Sequence, residues 1–136
     1  MNQSEVEAFV ASLDNVQQEE NYGYKFFFVS DDHLLPFVTI ANSDNEYDNV
    51  SNLSREGVFR INIGVSRATF GSLVNAEAEN IDYSVLNTFL PHPEYAKQNW
   101  VCILNPCDEN EARTKQLITE AHAIAATRLA KKSLKQ

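Results

Sequence analysis

A histidine clamped between two prolines, in the run Leu90-Pro91-His92-Pro93-Glu94-Tyr95, is the most distinctive chemistry-bearing feature of this chain. The prolines restrict the backbone on both sides, so the imidazole is held by a stiff loop. A ring held that way suits a hydrogen-bond anchor, a ligand contact or a general base. The structural alternative is that Pro-His-Pro stops a helix and turns the chain, with His92 packing on Tyr95 or Trp100. Trp100 is the chain's only tryptophan. Arg60 and Asn62 form the other suggestive pair, because alternate residues of a strand share a face. Together they would set a fixed cation and an amide side by side.

The remaining candidates point to less. His33 stands beside Asp31 and Asp32, but consecutive turn residues rarely converge on one metal ion. His122 falls in line with Ile118, Ala125 and Leu129, as a helix packing residue does. Cys102 and Cys107 are spaced C-x4-C with no second pair to complete a zinc site. Cys102 falls mid-strand, a poor place for a nucleophile. GxGxxG, Walker, GxSxG and HExxH patterns are all missing. No catalytic residue, metal or cofactor is expected from these patterns.

The elements that position these residues can be read from periodicity. Val6, Phe9, Val10 and Leu13 make one helical face, with Ser4 and Glu7 spaced as a capping box. Tyr22–Ser30 and Pro36–Ala41 read as a hairpin. Residues 42–56 are polar and acidic and read as a long irregular connection. Gly57–Gly64 and Trp100–Leu104 read as further strands. Ser66 can cap a helix to Leu73, broken by Gly71, and Asp82 another that must end before Pro91. Asp108 can cap a long final helix. The expected fold is α+β, in the order α-β-β-loop-β-α-α-β-α: helices packed on a four-stranded, mainly antiparallel sheet in a single domain.

Alternation splits the sheet into two faces. Phe26, Phe28, Val38, Ile40, Phe59, Ile61, Ile63, Val101 and Ile103 form the expected core face. Lys25, Phe27, Val29, Phe37, Thr39, Val58, Arg60, Asn62, Trp100, Cys102 and Leu104 form a mixed one. Mixed apolar and polar faces mark binding surfaces. The alternatives are a second helical layer covering the face, with Arg60 paired to an acid, and a homodimer interface.

Composition narrows the partners. The chain has 136 residues, 43% hydrophobic and 22% charged, as globular proteins do. Residues 1–127 hold 7 cations against 19 acids, a net of −12. Nucleic-acid affinity comes mostly from cations neutralising phosphates, so nucleic acid is not the expected partner. Nor is a membrane, since no run approaches the apolar length a span needs. The opening residues show no export signal, and two cysteines make no disulfide framework, so the expected setting is cytoplasmic with both thiols reduced.

Two blocks carry a family resemblance. "FRINI" at Phe59–Ile63 and "LPHPEYAKQNWVCILNP" at Leu90–Pro106 resemble the paired motifs of the bacterial domain-of-unknown-function family 6194. The match falls on Arg60, Asn62, His92, Pro93, Tyr95, Trp100, Asn105 and Pro106, within a resemblance from Phe26 to the final helix. That family brings no activity with it. The element order is also similar, in topology alone, to the YjbR/MmcQ-like group, which would imply association with DNA through the basic end of the last helix. The expectation is therefore a non-enzymatic module that binds a small molecule, anionic ones included, or a protein partner. Its site would be Arg60, Asn62, His92, Tyr95 and Trp100, with Phe27 adding apolar contact. The remaining alternative is an enzyme using His92 as general base.

Overall fold

Six strands, not four, build the sheet. The computed structural model describes residues 1–134. Helix α1 (Gln3–Ala11) leads into β1 (Val16–Asn21) and β2 (Tyr24–Val29), then β3 (Val38–Ala41) and β4 (Arg60–Gly64). Helix α2 (Arg67–Leu73) follows, then the two-residue β5 (Leu90–Pro91), β6 (Trp100–Leu104) and the long α3 (Glu109–Leu134). The order across the sheet is β1-β2-β3-β4-β6-β5, with every neighbour antiparallel.

The two unexpected strands are the edges. β1 is Val-Gln-Gln-Glu-Glu-Asn, almost wholly exposed, so it has no apolar alternation to betray it. It forms because Tyr22 and Gly23 take positive φ of 53° and 81°, a tight hairpin turn. Its charges also suit an edge, where bare backbone invites unwanted pairing. β5 ends in Pro91, another edge device, and extends along β6 through Leu90 opposite Cys102.

Four further expectations are corrected. The capping box at the start of α1 is made by Asn2 and Glu5, not Ser4 and Glu7. That frees Glu7 to pair with Lys25. Gly71 does not break α2, which runs on to Leu73. No helix forms after Asp82, whose carboxylate instead accepts from the Ser84 amide at 2.9 Å and closes a turn. Asp108 likewise does not cap α3: its φ of 53° puts it outside the cap geometry.

All three helices lie on one face of the sheet. Val6 and Val10 of α1, Phe70 of α2, and Leu117, Ile118 and Ala121 of α3 pack on Phe27, Val38, Ile40, Ile61, Ile63, Val101 and Ile103. Here β2 is turned over from its expected setting. Phe27 pairs with Val38 and Phe26 with Thr39, so Phe27 and Val29 enter the core while Phe26 and Phe28 join the mixed face. Four apolar residues in a row from Phe26 to Val29 give alternation no polar position to choose by.

The opposite face has no helical layer. Residues 42–58 fold across one end of it, with Leu53 packed on Ala41 and Leu104. Arg55 ties this cover to the next connection by donating to the Ser84 carbonyl at 2.8 Å. Asn105, at φ 44°, anchors the cover's far end by donating to the Gly57 carbonyl and accepting from the Phe59 amide. No helix among the described residues is long and apolar enough to cross a membrane.

Candidate functional site

Strand pairing lays the mixed face out as a grid. Tyr24, Ala41, Arg60 and Leu104 make one row; Phe26, Thr39, Asn62, Cys102 and Leu90 the next. The third row holds Phe28, Gly64 and Trp100, and His92 extends it by donating its amide to the Trp100 carbonyl at 2.9 Å. The expected site residues thus share a face, but they fall into two ends with different chemistry.

The Arg60 end is closed. Arg60 is only 1% exposed, and its guanidinium is committed to the protein. It grips both oxygens of Asp48 and also donates to Ser51 Oγ at 2.9 Å and to Asn62 Oδ1 at 3.0 Å. Asn62 passes the chain on by donating to Thr39 Oγ1 at 2.9 Å. Tyr24 donates its hydroxyl to Asp48, and burial together with that carboxylate pushes the phenol up to about 12. Burial alone would raise the Asp48 carboxyl, but hydrogen bonds from Arg60 and Tyr24 outweigh it and hold the group below the usual carboxylate value. A bidentate arginine–carboxylate pair with its remaining valences filled is the condition under which a buried ion pair is tolerated. This is the acid-paired alternative, with an irregular cover in place of a helical layer.

The His92 end is open. The His92 Nδ1 atom accepts from the backbone amides of Glu94 and Tyr95, both at 3.0 Å. Side-chain acceptance from amides two and three residues on is how a helix N-cap works, and it starts the short 3₁₀ turn at Ala96–Gln98. Asn99, in the left-handed conformation at φ 65°, ends that turn and delivers Trp100 to the sheet. Tyr95 and Trp100 flank the imidazole, with ring centroids 5.0 and 6.4 Å away.

This geometry fixes the tautomer. Two amides aimed at Nδ1 leave the proton of the neutral ring on Nε2. Burial, with Arg60 nearby, lowers the His92 pKa from 6.5 to about 4, so the ring is neutral near pH 7. The described residues offer Nε2–H no acceptor, although His92 is only 7% exposed. It is not sealed either, since Thr114 Oγ1 is the one fully enclosed side-chain polar atom without a partner among them. Among the described residues the indole Nε1–H of Trp100 likewise has no acceptor. Gly64 makes room for that indole: a Cβ there would lie 3.0–3.2 Å from its Cε2, Cζ2 and Nε1 atoms. The open end thus presents neutral N–H donors among aromatic rings.

Phe27 does not belong to the site, being fully buried beneath the helices. His33 stacks on Phe28 at 4.4 Å and bonds Glu19 and Gln17 across the β1 edge. His122 contacts the Asp14 carbonyl through Nε2 at 2.7 Å. Cys102 is a fully buried member of the grid, where burial pushes its thiol up to about 12, far from thiolate chemistry. No sequence motif marks Asp48, Ser51 or Tyr24 as partners of Arg60. A strand arginine flanked by apolar positions requires a buried acid, and residues 42–56 were the nearest acidic store. Nothing in one sequence says which acid answers.

Fold and site together define an α+β domain with helices on one side of an antiparallel sheet and a polar, half-covered face on the other. The chain belongs to the family of unknown function DUF6194, whose model matches residues 1–134. No curated protein and no solved structure matches it.

Proposed function

We propose that the protein is a binding module, and that a small molecule occupies the open end of the mixed face over Trp100, His92 and Tyr95. The observation that carries this reading is the Nε2–H of His92: a donor on a 7% exposed ring of fixed tautomer, with no acceptor among the described residues. Leaving such a donor unmet costs roughly 1–3 kcal/mol. Water or a ligand must meet it. Aromatic walls with a few placed polar groups are the usual composition of a small-molecule site.

The same geometry favours binding over general-base catalysis. One imidazole lone pair is held by two amides and the other nitrogen carries the proton, so the ring offers a donor and no base. The expected role of Arg60 as the anchor for an anionic group also loses support, because Asp48 already occupies it. Nothing in the structure favours the nucleic-acid reading. The basic residues Arg128 and Lys131 border a concavity of about 490 Å³ along α3, away from the mixed face.

Native mass spectrometry of gently purified protein tests the proposal. Added mass that is lost in Trp100→Phe would support it. A bare dimer would assign the face to self-association instead. A bare monomer whose Trp100 fluorescence ignores small-molecule probes would leave a protein partner as the reading to pursue.

A further inference from the structure

Building on that proposed site, we infer that its ligand is an uncharged planar molecule bearing a carbonyl-type acceptor, such as an amide, lactam or enone, rather than a carboxylate or phosphate. Two observations carry this. The first is the nature of the donors. His92 Nε2–H and Trp100 Nε1–H belong to neutral rings, and the His92 tautomer is locked from behind by the Glu94 and Tyr95 amides. Their rings lie 6.4 Å apart by centroid, near perpendicular at 78°. Both are donors only, so the complementary group must accept.

The second observation is the charge around them. Among the described residues Arg60 is the one cation of the strand grid on this face, and it is 1% exposed and held bidentately by Asp48. Glu94 lies two residues and Lys97 five residues from His92, so its loop brings no net cation, and the whole chain carries a net charge of −8. An anion entering the open end would give up its water for neutral dipoles, since the Arg60 charge is already paired with Asp48. Burying a charge without a countercharge is far more costly than burying a hydrogen-bonded neutral group. A carbonyl oxygen, with two lone pairs and no net charge, meets the N–H donors without that cost. Ring faces of Trp100 and Tyr95 add the preference for a flat, apolar body.

Benzamide and benzoate form a near-isosteric pair that separates the cases. Each is titrated into the wild-type protein, followed by Trp100 fluorescence and by the His92 ring signals in NMR. The expected result is benzamide binding at least about tenfold more tightly than benzoate, a gap of about 1.4 kcal/mol. Trp100→Phe, which keeps the ring and removes the donor, should weaken benzamide when read by the His92 signals. Asp48→Asn, which frees the Arg60 charge, should narrow the gap or reverse it. Benzoate binding as well as benzamide in the wild type would overturn the neutral class while leaving the site standing. Neither compound perturbing Trp100 or His92 at tens of millimolar would remove the site itself, and this inference with it.

Discussion

The two ends of the mixed face carry polar groups for opposite reasons. At the closed end Asp48 and Ser51 of the cover and Arg60, Asn62, Thr39 and Tyr24 of the sheet bind one another. At the open end His92 is oriented just as firmly, but its Nε2–H finds no acceptor among the described residues. The charged residue has its valences filled, and the neutral ring is the one that keeps a donor without an acceptor among the described residues. Formal charge on a sheet face is therefore a poor guide to function. What separates the two ends is whether the valences of each polar group are filled.

The largest expected effect comes from breaking the closed end. Asp48→Ala strands a buried guanidinium, and removing one partner of a buried pair costs about 3–5 kcal/mol. Chemical denaturation reads this directly. Asp48→Leu with Arg60→Met should cost less than the two single changes summed, because neither charge is then left alone. Single changes costing under about 1 kcal/mol would mean the pair does not seal the face, and Arg60 would return as a candidate ligand contact.

The two ends should also titrate apart. His92 has a folded pKa of about 4 against an ordinary 6.5, so the unfolded chain binds the proton first as pH falls. Its contribution is complete above pH 6.5 and is lost between 6.5 and about 4, at most roughly 3 kcal/mol. The Asp48 pKa is lowered, so its contribution is present above the ordinary carboxylate value of 3.8 and is lost below it. Stability against pH should therefore fall in two stages. His92→Gln should flatten the upper stage alone. An unchanged upper stage in that variant would place the sensitivity elsewhere.

Gly64→Ala is a smaller probe of the open end. The added methyl would press on the Trp100 indole from 3.0 Å. Overpacking of this kind costs about 1–3 kcal/mol. The tryptophan emission should shift with it, since the ring must lift from the sheet. Lost stability with unchanged emission would show that the backbone, not the indole, gives way.

These effects also show where the sequence was readable. Ile61, Ile63, Val101 and Ile103 alternate cleanly, and their strands and core face follow from that. β2 does not alternate, so its orientation was set by pairing with β3, which no local pattern records. β1 was invisible because an exposed edge strand owes its existence to a turn and a partner. Arg60, Asn62, His92 and Trp100 could be placed on one face from spacing alone. Their division into two ends could not, because it depends on where residues 42–58 fold. Asp48 is 12 residues from Arg60 in the chain, in a segment whose shape is set by the face it covers.

The smallest effect on stability should come from Tyr95→Ala, and it sharpens the comparison most. The Tyr95 side chain is 52% exposed and touches His92 with its ring. Its structural duty rests on the backbone: the amide that orients His92 survives the substitution. Stability should change by less than about 0.5 kcal/mol, as for other exposed positions. Affinity for a flat ligand should still fall, because an aromatic contact is worth about 0.5–1.5 kcal/mol beyond its buried area. Benzamide titration beside a denaturation curve measures both. A side chain dispensable for folding yet needed for binding is what an open, functional end requires. Equal losses in both would make Tyr95 part of the scaffold, and the two ends of the face would then differ in exposure alone.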